Sequence, residues 1–448
     1  MNSNRNAAAS NVDQFFSDHD KLTRRYFCRM GVVGLGLSVL PIDGSAAEEK
    51  KKSSPVAKAG AQPNPYFTPT NDFQDVSRGK PLPHSLPEEK KREVGLTRET
   101  WRLEVLSDPE HPAKLGKTFT HADDTAIDFN RLMQLAEKHV VRFPKVMTCL
   151  NLGCPLGMGL WEGVPLRELL WLTKPKADLR RVFYYGYHND DPQQIFRSSL
   201  PVGRVLEDPF DLPPVILCYK LNGQWLDSVR GGPVRMVVPE AYGFKSVKWL
   251  THVVLTNLAN ANDTYQEQNN DIDSPLKTFS ATLSYPDKIK SGIMIPVSGY
   301  AQVGLSGLSK VQVSLQPKEK AESSDEPFFE DAALVDAKWV DAKWVDAKWV
   351  DAKWVDAELL QRPADWSGLE DGKMPGNVHG FDTNGQPLSW PMRFTKAHWA
   401  IVLPGQAAGE YVLRSRSIDD KRQAQPLPRP FRKSGHAAIE SITIRVED

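Results

Sequence analysis

Cys149 closes the run Pro144-Lys145-Val146-Met147-Thr148-Cys149, which reads as a strand. The glycine-bearing stretch after it, Leu150-Asn151-Leu152-Gly153-Cys154 and onward to Trp161-Glu162-Gly163-Val164-Pro165-Leu166, reads as a loop leading to a helix start. A thiol at a strand end, where backbone amides converge, suits two roles. As a thiolate it is a soft metal ligand, deprotonated outright by the metal it holds; as a thiol it fills a core like a small hydrophobe. Downstream, Gly231-Gly232-Pro233-Val234-Arg235 and Tyr242-Gly243-Phe244-Lys245-Ser246-Val247-Lys248-Trp249 place Arg235, Lys245 and Lys248 around a tight turn. Two glycines let backbone approach a ligand closely, and the cations supply what an anionic phosphate requires.

Other chemistries lack their residues. Of four cysteines, Cys28 lies in a leader, and Cys149, Cys154 and Cys218 are an odd number for an oxidising compartment. No Cys-x-x-Cys-His haem motif, zinc-ribbon spacing or iron–sulfur spacing occurs. His188-Asn189-Asp190-Asp191 offers hard-metal donors, but that order of residues is read as a polar turn. Neither Gly-x-Ser-x-Gly nor His-Glu-x-x-His is present, so hydrolases are unsupported. With 56 basic and 56 acidic residues the net charge is zero, which argues against a nucleic-acid partner.

The elements that must hold these residues are mixed. Trp101 to Leu106 alternates as a strand, and Asp128 to His139 has helical apolar spacing. Pro165 to Leu172 suits a helix, and segments at 182–185, 215–219 and 234–239 read as buried strands. Beyond about residue 290 only short alternating strands recur, at 310–315, 398–402, 411–415 and 442–446. The expectation is an α+β unit at 66–290 followed by a β-sandwich at 291–448. At 448 residues, two domains plus tails is the prior.

Two segments stand outside this plan. Lys21-Leu22-Thr23-Arg24-Arg25-Tyr26-Phe27, an apolar run to Leu40 and Gly44-Ser45-Ala46-Ala47 look like a twin-arginine signal over 1–47, which implies a periplasmic protein. Residues 48–65 read as a solvated linker. Within the second unit Val-Asp-Ala-Lys-Trp recurs over 335–355 at a spacing of five, which fits neither strand nor helix for long. It reads as tandem duplication in a tolerant loop rather than as an aromatic, basic binding ribbon.

Taken together, the Cys149 segment with Trp-x-Gly-Val-Pro-Leu, the Leu221-Asn222-Gly223-Gln224 stretch, Gly-Gly-Pro-Val-Arg and Tyr-Gly-Phe-Lys-Ser-Val-Lys-Trp resemble the sulfite oxidase family of molybdopterin enzymes over about residues 65–316. Gly409 to Arg416 with Gln425-Pro426 resembles that family's immunoglobulin-like dimerisation domain, so a homodimer is implied. The resemblance implies a molybdenum–molybdopterin (Mo-MPT) cofactor with Cys149 as the single protein ligand to the metal. It assigns Arg235, Ser246, Val247 and Lys248 to the pterin phosphate and makes Gly186 a further contact. Thr70-Asn71-Asp72-Phe73-Gln74-Asp75 is similar to the pterin-contacting segment of the bacterial methionine-sulfoxide-reductase branch, which adds Asn71, Gln74 and Asp75.

Departures bear on the substrate. Vertebrate-like sulfite oxidases have arginines after the ligand cysteine, whereas Asn151 to Pro155 has none; Phe196 stands where they carry a tyrosine, and Arg230 where they carry a histidine. Arg230 and Arg197 are the candidates for substrate charge. The implied reaction is oxygen-atom transfer on sulfite or a related sulfur compound, with electrons passing to a c-type cytochrome. The alternatives are a reductase of an S-oxide or oxyanion fed by a quinone-linked subunit, and a cofactor-free secreted binding protein.

Overall fold

The computed structural model describes residues 65–448 apart from 151–152, 210, 262, 265–272, 274, 323–352, 364, 370–371 and 426–438. The signal, nearly all of the linker and most of the five-residue repeat therefore lie outside the described residues.

The first unit contains strands β1 (Arg102–Ser107), β2 (Ile127–Asp128), β3 (Val141–Thr148), β4 (Pro155–Pro165), β5 (Arg181–Gly186), β6 (Arg197–Pro201), β7 (Ile216–Leu221), β8 (Gln224–Trp225), β9 (Arg235–Val237) and β10 (Leu250–Thr256). One sheet has the order β2-β1-β10-β5-β6, with β1 and β10 parallel. The other runs β3-β4-β7-β8, with β9 added on β7. Helix α1 (Glu88–Glu93) is exposed, whereas α2 (Phe129–His139) buries Phe129, Leu132 and Ala136 on one stripe. Asp128 caps α2 by accepting from Arg131 N at 2.8 Å. Helix α3 (Leu166–Leu172) starts just after Pro165, and α4 (Val202–Leu206) follows β6.

The stretch after Cys149 is not the expected loop. All eleven residues of β4 are buried, and the glycines are the reason. A Cβ on Gly157 would lie 2.5 Å from the Phe73 ring, and one on Gly159 would lie 2.4 Å from Leu221. The strand's bare faces receive those side chains, so its glycines mark close packing.

The second unit contains β11 (Phe279–Ser284), β12 (Lys288–Lys290), β13 (Ile295–Gln302), β14 (Lys310–Pro317), β15 (Val355–Leu359), β16 (Lys396–Leu403), β17 (Gly409–Ile418) and β18 (Ser441–Glu447), with α5 (Lys318–Glu322) after β14. Their order is β11-β13-β16-β15-β14-β17-β18-β12. β15 joins the two halves, pairing with β14 through Val355–Ala357 and with β16 through Glu358–Leu359. The halves fold over one core that includes Val297, Val311, Trp399, Leu413 and Ile444, giving a β-sandwich. Its first strand precedes the division expected near 290, because Phe279–Ser284 already pairs with β13.

A third core seals the two units. Tyr66, Phe67, Val146 and Leu160 of the first pack with Trp366, Val378, Met392 and Phe394 of the second. Val146 N donates to Phe394 O at 2.6 Å, and Thr148 Oγ1 donates to Gln302 Oε1 at 2.5 Å. The strand that ends at Cys149 is thus braced from the sandwich.

Candidate active site

β3 and β4 form a hairpin in which Thr148 pairs with Pro155. Cys149 N donates to Cys154 O at 3.3 Å and Gly153 N to Cys149 O at 2.9 Å, which closes the turn with the Cys149 side chain partly accessible. Cys149, Cys154 and Cys218 are all thiols rather than cystine. Burial, with Cys149 as a neighbour, pushes the Cys154 thiol up to about 12, and burial does the same for Cys218. Those two are inert at neutral pH. Only Cys149 of the three faces the cavity.

That cavity measures about 340 Å³, within the range of small-molecule sites. Aromatic groups from β4 and from the segments that flank the strands form much of its wall, among them Trp161 of β4 and Phe73, Phe196, Phe244 and Trp249. Gln74, Gly186, Arg230, Arg235, Ser246, Val247 and Lys248 also line it. Close backbone contact brings these segments together. A Cβ on Gly186 would lie 2.0 Å from Lys248 O, and one on Gly231, whose φ is +95°, would lie 2.6 Å from Lys248 Cβ.

The cations on the wall are held by carbonyls more than by acids. Arg235 Nη1 donates to Arg230 O at 2.8 Å and Nη2 to Ser246 O at 2.6 Å, while Arg230 Nη1 donates to Phe73 O at 2.8 Å. The Nε of each arginine is buried with no hydrogen-bond partner. Burial pushes Arg235 down to about 10, and Arg230 also falls below its ordinary value. Lys248 Nζ reaches Asp75 Oδ1 at 2.8 Å, Ser77 Oγ at 2.7 Å and Val229 O at 2.7 Å. Burial and then Arg235 hold it down at about 8. Burial would raise Asp75, but the hydrogen bond and charge of Lys248, with Ser77, outweigh that and lower it. Buried donors without acceptors cost free energy that a bound anion would recover.

Four sequence expectations fall elsewhere. Asn71 is exposed on the 3-10 turn Thr70–Asp72 and does not line the cavity. Asp75 stands behind the wall, bonded to Lys248 and Ser77, which line it. Arg197, the first residue of β6, lies with its guanidinium carbon 5.1 Å from the Phe183 ring centre, whereas Phe196, just before the strand, lines the cavity. Lys245 is 1% exposed and donates to Ser199 O at 2.7 Å, with Asp263 at 3.6 Å, so it serves the core. Conversely, Arg78, Tyr187 and His188 line the cavity without having been singled out for it. His188, two residues beyond Gly186 at the end of β5, was accessible by alternation; Arg78 belongs to no motif.

Among the described residues, no group of three or more His, Cys, Asp and Glu side chains is placed to hold a metal ion. A metal at Cys149 would need ligands from a partner molecule, and a molybdopterin dithiolene is such a donor. The thiol that lines the cavity, the two orphaned guanidinium Nε atoms and the glycine-lined approach fit that anionic cofactor.

Comparison with known proteins agrees. Residues 94–264 match the model of the oxidoreductase molybdopterin binding domain. The mitochondrial sulfite oxidase of Drosophila melanogaster is 30% identical over 115 residues, 25% of this chain and 19% of that protein. A protein-methionine-sulfoxide reductase catalytic subunit of Ralstonia nicotianae is 27% identical over 248 residues, 50% of this chain and 66% of that protein. The chain spans between 11% and 20% of the nitrate reductases and the sulfite oxidase that it matches. The sulfane dehydrogenase SoxCD from Paracoccus pantotrophus shares the fold, with a TM-score of 0.51, 17% identity and 79% of each chain covered. Residues 94–264 thus form a molybdopterin-binding oxidoreductase domain, the domain that the resemblance to sulfite oxidases implied.

Proposed function

We propose that the chain oxidises sulfite or a related sulfur compound and hands the electrons to an external c-type cytochrome. The observation that carries this reading is the Cys149 thiol facing one cavity with two buried arginines whose Nε atoms lack acceptors. When bound, molybdenum–molybdopterin supplies two-electron oxygen-atom transfer, with water as the oxygen source, two protons released and two electrons left for the carrier. Cys149 would hold the metal. Arg235, Ser246, Val247 and Lys248 would hold the phosphate, Gly186 would allow the close approach, and Gln74 and Arg230 would face the ring system. Phe73, Trp161, Phe196, Phe244 and Trp249 keep bulk water from the reacting atoms.

A sulfur substrate is favoured by the sandwich unit, since the fold shared with the sulfane dehydrogenase extends over 79% of both chains. The sandwich is also the proposed homodimer contact. The signal at 1–47 supports export to the periplasm, and no helix among the described residues is long and apolar enough to cross a membrane. A second reading, reduction of an S-oxide with quinol-derived electrons, draws on the position of Phe73 and Gln74 in the wall. Sulfite-dependent reduction of cytochrome c by the loaded protein supports the first reading. Oxidation of reduced viologen by methionine sulfoxide, without sulfite activity, would replace it with the second. Folded protein lacking molybdenum and pterin after expression in a host with the twin-arginine route would leave the cofactor-free reading.

A further inference from the structure

We propose that Arg78 is the specificity cation of the cavity, capturing an anionic sulfur oxoacid by a forked hydrogen bond. This rests on the sulfur-oxidising reading, and it deepens that reading by naming the residue that selects charge.

The cations that line the cavity are unequally committed. Lys248 spends its ammonium on Asp75, Ser77 and Val229 O. Arg230 and Arg235 are 7% and 5% exposed and anchored to backbone carbonyls. His188 is half-buried, and burial followed by the charge of Arg78 pushes it below its ordinary value, so it faces the cavity as a neutral ring. Arg78 is exposed and, among the described residues, makes no ion pair and no hydrogen bond. Its guanidinium carbon lies 4.6 Å from the centre of the Phe196 ring. An aromatic face fixes a guanidinium through its plane and leaves the in-plane N–H groups free for a two-oxygen acceptor.

The backbone holds this arrangement in place. Gly79 has φ of +112°, and a Cβ there would lie 2.9 Å from His188 O. The segment carrying Arg78 therefore packs directly on the end of the β5 extension that carries His188 and Tyr187, which only glycine permits. Arg78 and His188 reach the same wall from segments far apart in sequence. Asn151 to Pro155, next to Cys149 in the sequence, carries no cation, and Arg78 from the 73–79 segment supplies the charge.

The test uses loaded, full-length protein with sulfite as substrate and sulfate as a non-reacting oxoanion. In R78Q, the KM for sulfite and the calorimetric Kd for sulfate rise about tenfold while kcat is unchanged, as expected when a charged hydrogen bond is lost from ground and transition states alike. R78K, which keeps the charge without the fork, falls between the two. Sulfate affinity identical in wild type and R78Q would overturn the proposal. If the wild type does not oxidise sulfite but R78Q still loses sulfate binding, the substrate reading falls and the role of Arg78 stands.

Discussion

Lys248 on the cavity wall and Lys396 at the seam between the units are both buried, and burial pushes both down to about 8. Their surroundings differ. Lys248 meets a carboxylate and a hydroxyl and sits beside two arginines with unused donors, so its neighbourhood is organised for negative charge. Lys396 pairs through its strand with Gln302, gives its backbone N–H to Met158 Sδ and receives the Tyr66 hydroxyl on its carbonyl. No described carboxylate faces it. Beside it on β16, His398 is pushed down to about 3 by burial and by Lys396. One site gathers positive charge because a ligand will compensate it; the other tolerates a lysine for the packing of its stem.

The sharpest way to break this contrast is at the thiol. Cys149→Ser should leave a folded protein whose molybdenum retention falls more than about a hundredfold, since even groups behind the ligands of metal sites cost 10- to 100-fold. Metal content per folded chain, with circular dichroism as the folding control, reads it; undiminished molybdenum would undo the assignment of Cys149.

Next in size is the seam. The folded state holds Lys396 at about 8, below its ordinary 10.5, so between those values the unfolded chain binds more protons and stability rises with pH. The gain is ~1.4 kcal/mol per pH unit, complete near pH 10.5 and absent below about 8. Lys396→Met should flatten that rise in denaturant titrations at the two pH values. Lys248 should contribute a similar slope only in cofactor-free protein, because a bound phosphate raises its proton affinity. Equal slopes in empty and loaded protein would erase the distinction between the two lysines.

The smallest effect concerns the bond that braces β3. A double-mutant cycle of Thr148→Val and Gln302→Leu should give a coupling of about 1 kcal/mol in stability. Additive single effects would show that the sandwich does not support the ligand strand through this contact.

Much of the frame was legible because periodicity survives in single sequence. The helix with Asp128 as its cap and the helix after Pro165 lie within a residue of expectation, and the strand before Cys149 ends as expected but begins three residues earlier, at Val141. β4 was not, because its glycines suppress strand propensity and their packing partners, Phe73 and Leu221, are distant in sequence. The site divided similarly. Cys149, Arg235 and Lys248 follow from motif and turn chemistry, but only Ser246 and Val247 separate Lys245 from Lys248, and the 3-10 turn over Gly243–Lys245 aims one at the core and leaves the other at the cavity. Phe196 lines the cavity at the position the resemblance gave it, whereas Arg197 does not line it, since the phase of a short strand is set by its neighbours.

β15 carries one more consequence. Its Val355-Asp356-Ala357 is the last copy of the tripeptide that recurs from Val335, and these three residues make the whole pairing with β14. Glu358 and Leu359, which pair with Ala400 and Trp399 on β16, stand where earlier copies have Lys and Trp. The edge against β14 is therefore indifferent to which copy occupies it, whereas the edge against β16 recognises only the terminal one. Gain or loss of whole pentapeptides by replication slippage is thereby buffered: the count can drift between generations while the strand keeps its address.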